Sequence, residues 1–121
     1  VPRERARADG GLVPAILNFC ATQQDIWAWR ANSGTLPIAN RDGTTRYFQS
    51  GEPGTPDILG VLRARTRTIF FGIEAKRLGI GKKRRDTQLI WHTKASLFGV
   101  PVLTVDSISE VDRFFRSLRA T

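Results

Sequence analysis

The chain has 121 residues, 40% hydrophobic and 25% charged, a composition that suits one folded domain and excludes a disordered one. Nineteen lysines and arginines stand against eleven acids, and the net charge of +8 points to a polyanionic partner, of which nucleic acid is the commonest. A single cysteine rules out an internal disulfide framework, and one cysteine with one histidine cannot build a structural zinc site.

Residues 1–10, VPRERARADG, are polar and basic, lack the apolar stretch of a secretory signal, and are expected to be loosely held ahead of one domain over 11–121. Leu12, Ile16, Phe19 and Cys20 then recur at helical spacing, predicting a helix to about Gln23. Pro14 is tolerated only in a first turn, so that helix begins near residues 11–14. Cys20 lies among apolar residues and reads as a buried, inert thiol in a reducing, cytoplasmic setting. DIWAWRAN alternates as a strand, with Ile26, Ala28 and Arg30 on one face and Trp27 and Trp29 on the other. The next segment is rich in turn residues, and RDGT carries the Asp-Gly signal of a hairpin.

DILGVL, from Asp57, is a nearly continuous apolar run, expected of a strand covered on both faces. RARTR reads as a polar turn and TIFFGIEAK as the returning strand of a hairpin. A period of two puts Phe70, Gly72, Glu74 and Lys76 on one face and Ile69, Phe71, Ile73 and Ala75 on the other. Gly72 is expected to leave open space beside the acid and the lysine. A glycine-rich basic loop, LGIGKKRRD, leads to a helix from about Asp86, taken as its N-cap, to Phe98, stopped by Gly99 and Pro101. PVLTV is a short buried strand. A last helix opens on the capping box Ser107-x-x-Glu110 and carries Val111, Phe114, Phe115 and Leu118 on one face. No run approaches the roughly 18 apolar residues of a membrane span, so no membrane partner is expected. The order of elements implies an α/β fold, a central mixed β-sheet flanked by helices.

Asp57 and Glu74 fall near the same end of paired strands, with Lys76 two residues on and on the face of Glu74. Phosphodiester hydrolysis needs charge on the phosphate, a deprotonated water and help for the leaving oxygen. A hard divalent cation on oxygen ligands supplies these. Two carboxylates would hold it, and a lysine beside them would orient the water or neutralise developing charge. Alone, Asp57 reads as a turn former and Glu74 with Lys76 as solvated residues. An acid and a lysine on one face of an otherwise apolar strand favour chemistry instead.

These residues also carry a family resemblance. GEPGTPDILGVL with Gly54, Pro56 and Asp57, IEAKR with Glu74 and Lys76, DTQLIW with Gln88 and Trp91, and WRANSG at 29–34 resemble the VRR-NUC domains of the PD-(D/E)xK nuclease superfamily. The likeness runs from residue 12 to about 118. It implies a restriction-endonuclease-like fold and a Mg²⁺- or Mn²⁺-dependent endodeoxyribonuclease. Asp57, Glu74 and the main-chain carbonyl of Ala75 would bind the metal, Lys76 would be the catalytic lysine, and Gln88 would reach the centre from its helix. The family's first-helix glutamate is missing here, and Asp9 is the nearest substitute.

The run Lys82, Lys83, Arg84 and Arg85 reads as a DNA-backbone contact, against the plainer alternative of a solvated loop. Trp91 reads as packing or a cover over the site, and His92 as a surface or structural residue. The resemblance implies branched DNA, such as Holliday junctions or flaps, as substrate and a homodimer as the active unit. The interface is expected from the tryptophan face of DIWAWRA or the phenylalanines of the last helix. The alternatives are a sequence-specific restriction-type nuclease and a nucleic-acid-binding domain without catalysis.

Overall fold

The computed structural model describes residues 11–31, 35–49, 52–76 and 86–121. Three helices and six strands follow in the order α1 (Leu12–Ala21), β1 (Ile26–Arg30), β2 (Thr35–Ala39), β3 (Thr45–Gln49), β4 (Ile58–Arg63), β5 (Thr68–Ala75), α2 (Asp86–Leu97), β6 (Val102–Val105) and α3 (Ile108–Arg119). Helix α1 stops two residues short of the expected Gln23. The Thr22 hydroxyl donates to the Phe19 carbonyl at 2.7 Å and the Gln23 N–H to the Cys20 carbonyl at 2.9 Å, closing the last turn.

Four strands form the central sheet in the order β1-β4-β5-β6. The first three run antiparallel and β6 pairs parallel with β5, so the sheet is mixed. Register opposes Ala28 to Gly60 and Gly60 to Phe71, so the even residues of β1 and β4 and the odd residues of β5 share one face. That face is the core. Ile58, Leu62, Phe71 and Ile73 bury against Val13 and Ile16 of α1 and Val111 and Phe115 of α3. The Phe71 and Phe115 rings meet edge to face at 5.2 Å between centroids. Cys20 is buried there, and that burial pushes its thiol up to about 11, so it is inert at neutral pH.

The N-terminus of α3 is capped as expected, with Ser107 Oγ accepting from the Glu110 N–H at 3.3 Å. Glu110 reaches back to the N–H of Asp106, one residue before the cap, at 2.7 Å. At its other end Arg119 forks onto Asp25 at 2.7 and 2.9 Å, tying α3 to the turn before β1. Phe115 is fully buried in the core, and Phe114 packs partly buried against it.

On the opposite face, among the described residues, α2 packs over β6. The strand from Asp57 is not buried on both sides: Ile58, Gly60 and Leu62 are buried, whereas Leu59 and Val61 are half-buried. Asp86 is the first residue of α2 rather than its cap. Strands β2 and β3 form a separate two-stranded hairpin, and Asp42 Oδ1 holds its turn by accepting from the Thr44 N–H and hydroxyl at 3.0 and 2.6 Å. Among the described residues no helix is long and apolar enough to cross a membrane.

Candidate functional site

Continuing the β4–β5 register by one residue beyond Ile58 and Ile73 sets Asp57 opposite Glu74. The main chain of Asp57 is held on one side by the Ala31 N–H, which donates to its carbonyl at 2.8 Å. Its carboxylate oxygen Oδ2 accepts from the Ala75 N–H at 2.9 Å. In an extended strand the N–H and C=O of one residue point the same way, so the Ala75 carbonyl also faces the Asp57 side. On the other side of β5 the Lys76 N–H donates to the Val105 carbonyl at 2.8 Å, extending the parallel ladder past the acid.

Glu74 is 5% exposed. Its Oε2 accepts from Gln88 Nε2 at 2.7 Å and lies 3.4 Å from Lys76 Nζ. The other oxygen, Oε1, is buried and has no hydrogen-bond partner among the described residues. Burial, and next the like charge of Asp57, push the Glu74 carboxyl up to about 7, with Lys76 pulling the other way. Lys76 is 19% exposed at its side chain, and its Nζ also lies 3.5 Å from Gln88 Oε1. Gln88 thus spans the acid and the base from the first turn of α2, with its amide nitrogen to one and its oxygen to the other.

Two residues of the loop before β4 set this geometry. Gly54, with φ of 85°, lies against the first turn of α2 so closely that a Cβ would overlap the Thr87 carbonyl and stand 3.0 Å from the Gln88 nitrogen. Only glycine combines that backbone with that approach. Pro56 is fully buried over Gly72, where a Cβ would stand 3.0 Å from the proline Cγ. The expected open space beside Gly72 is therefore filled. The missing side chain makes room for the Pro56 ring, which delivers Asp57 to its place.

Asp57, Glu74, Ala75, Lys76 and Gln88 are thus brought together. Asp9 and the basic residues Lys82, Lys83, Arg84 and Arg85 lie outside the described residues. Trp91 and His92 are half-buried further along α2. The sequence reading missed Thr104, which register places beside Glu74 on β6. It is 6% exposed, and its hydroxyl has no partner among the described residues. The signal was the one polar residue in the otherwise apolar PVLTV.

Among the described residues no group of three or more histidine, cysteine or acidic side chains is gathered. The donors are two carboxylates and a main-chain oxygen, all hard, which fit Mg²⁺ or Mn²⁺ and not a soft or structural zinc ion. A buried carboxylate with one oxygen unanswered, opposite a second acid, is an arrangement that a cation relieves. No protein-family model matches the chain, and neither a curated protein nor a solved structure shows significant similarity to it.

Proposed function

We propose that this chain is a divalent-metal-dependent DNA endonuclease with a PD-(D/E)xK-type centre, acting on branched DNA. The observation that carries it is Glu74: a buried acid, opposite Asp57, with one oxygen unpartnered among the described residues and its lysine within 3.4 Å. Holding both acids charged side by side is costly, and Lys76 alone supplies one positive charge for two carboxylates. The mixed sheet between helices and the resemblance in GTPD and IEAK support the same reading.

Asp57, Glu74 and the Ala75 carbonyl would hold Mg²⁺ or Mn²⁺. When bound, the ion supplies positive charge to a phosphate oxygen and lowers the pKa of water. The Lys76 amine lies 3.4 Å from Glu74, where it would orient a water for in-line attack and stabilise charge growing on the phosphate. Gln88 fixes the Glu74 carboxylate through Oε2, which would leave Oε1 for the ion. The net charge of +8 favours the DNA backbone as partner. Two nicks on symmetry-related strands of a junction would come from two copies of the chain.

A cleavage panel tests the proposal: single strand, duplex, flap and four-way junction, each with Mg²⁺, Mn²⁺ or Ca²⁺. Cutting of the branched substrates in Mg²⁺ or Mn²⁺, with binding but little turnover in Ca²⁺, is expected. DNA binding with no cleavage under any metal would mark the chain as a binding domain, and cutting confined to one duplex sequence would mark it as a restriction-type enzyme.

A further inference from the structure

The open face of the sheet carries more than the acidic pair. Register pairs Trp27 with Val61 and Val61 with Phe70 in one row, and Trp29 with Leu59 and Leu59 with Gly72 in the next. The row after that holds Asp57 and Glu74. Three aromatic side chains therefore lie on the face of the acids, in the rows leading to them. They are not packed away: Trp27 is 70% exposed, Phe70 39% and Trp29 36%. The two indoles lie 5.1 Å apart at centroids and are tilted by 52°.

Exposed tryptophan is costly unless something covers it. A second copy of the chain is one candidate, but the three rings alone give a small area for it. At about 250 Å² for a tryptophan and 200 Å² for a phenylalanine, the three rings expose roughly 350 Å², under half of the roughly 800 Å² that each partner of a standard interface contributes. The chain's charge of +8 also opposes its own approach and favours a polyanion. The spacing fits one. With strands about 4.8 Å apart and residues about 3.4 Å apart, Trp29 and Trp27 stand roughly 12 and 17 Å from Glu74 at Cα, a reach of a few nucleotides.

We propose that Trp27, Trp29 and Phe70 form a stacking platform for unpaired DNA bases beside the phosphodiester to be cut. The position of that phosphodiester rests on the nuclease reading above; the platform itself does not. A duplex keeps the faces of its bases stacked on one another, whereas a single strand or the arm of a branch offers them to aromatic rings. The platform thus selects substrates with an unpaired stretch on one side of the cleaved bond, through stacking rather than base sequence.

Fluorescence anisotropy in EDTA tests it without any cleavage, using a labelled oligothymidine and a blunt duplex. Trp27→Ala is expected to weaken oligothymidine binding on the order of tenfold while changing duplex binding less than about twofold. Trp27→Phe, which keeps a ring, should retain most of the affinity. Trp29→Ala should behave as Trp27→Ala, and thermal melting should confirm that each variant is folded. Equal losses on both DNAs, or none on either, would overturn the platform. So would a change from dimer to monomer in light scattering with single-strand preference unaltered, which would assign the face to a second copy. If the native chain cuts nothing in Mn²⁺ yet Trp27→Ala still loses oligothymidine selectively, the nuclease reading fails and the platform stands.

Discussion

Gln88 Nε2 donates to Glu74 Oε2 at 2.7 Å, joining the first turn of α2 to the end of β5. That hydrogen bond exists because Gly54 lets the loop before β4 lie against the main chain of Thr87. The two residues should fail differently. Gln88→Ala is expected to keep its melting temperature within a few degrees, to lose about tenfold in cleavage, and to move the acid limb of the pH–rate profile upward. The upward move follows because Glu74 loses a donor that favours its charged form. Gly54→Ala places a side chain where φ is positive and the α2 main chain already sits, at a cost of about 1–3 kcal/mol or more. It should lower the melting temperature and activity together. Melting curves and pH–rate profiles of the two variants, taken side by side, check this.

The raised Glu74 carboxyl makes stability depend on pH, and on the proposed reading metal binding would depend on it too. Folded Glu74 holds its proton up to about pH 7, whereas the unfolded chain releases it near the ordinary value of 4.5. Between those two values the folded state binds more protons, so metal-free stability falls as pH rises through that window. Glu74→Gln should flatten this dependence, which melting temperatures at about pH 5 and about pH 8 would reveal. Binding of the proposed metal would run the other way, because the ion would displace the proton. Mn²⁺ affinity should climb with pH up to about 7 and then level off. Calorimetric titration showing constant affinity across that range would contradict the placement of the metal on Glu74.

Much of this was legible in the sequence. The period of two in TIFFGIEAK separated the core residues Ile69, Phe71 and Ile73 from Glu74, and the helical spacing of Val111, Phe115 and Leu118 marked the buried stripe of α3. Periodicity reports which way a side chain points, and it did so correctly here. It does not report what meets that side chain. Gly72 reads as a gap in sequence because the proline that fills it comes from sixteen residues earlier. Leu59 and Val61 read as covered because an apolar run cannot reveal how little of that face is covered, and both are half-buried. Thr104 passed unnoticed because its neighbour Glu74 is thirty residues away and joined to it only by the parallel pairing of β6.

Thr104 offers a test of whether the buried polar surface around Glu74 is structural. Its hydroxyl has no partner among the described residues, so removing it leaves no donor or acceptor stranded on the protein side. Thr104→Val, which keeps the shape of the side chain, is expected to leave the melting temperature unchanged or raise it slightly. A fall of more than about 1 kcal/mol in denaturant unfolding would mean that the hydroxyl is paired in solution.

The basic run Lys82, Lys83, Arg84 and Arg85 joins Lys76 to α2 in sequence and carries four of the chain's nineteen cations. Replacing all four with alanine should weaken binding to every DNA alike. Each lost phosphate contact should reduce the slope of log affinity against log salt by about 0.9. Binding titrations at several salt concentrations give that slope directly, and a slope equal to the parent's would show that the run does not touch the backbone.

The most direct test of the centre is single-turnover cleavage of a branched DNA by the native chain, Lys76→Ala and Asp57→Asn, in Mn²⁺ and in EDTA. With Lys76 acting on charge that grows only in the transition state, Lys76→Ala should bind DNA as the native chain does but cut on the order of 10²-fold more slowly. Asp57→Asn should not cut measurably, and EDTA should silence all three proteins. Cleavage by Lys76→Ala at the native rate, or undiminished cutting in EDTA, would contradict a metal-assisted hydrolysis built on Asp57, Glu74 and Lys76.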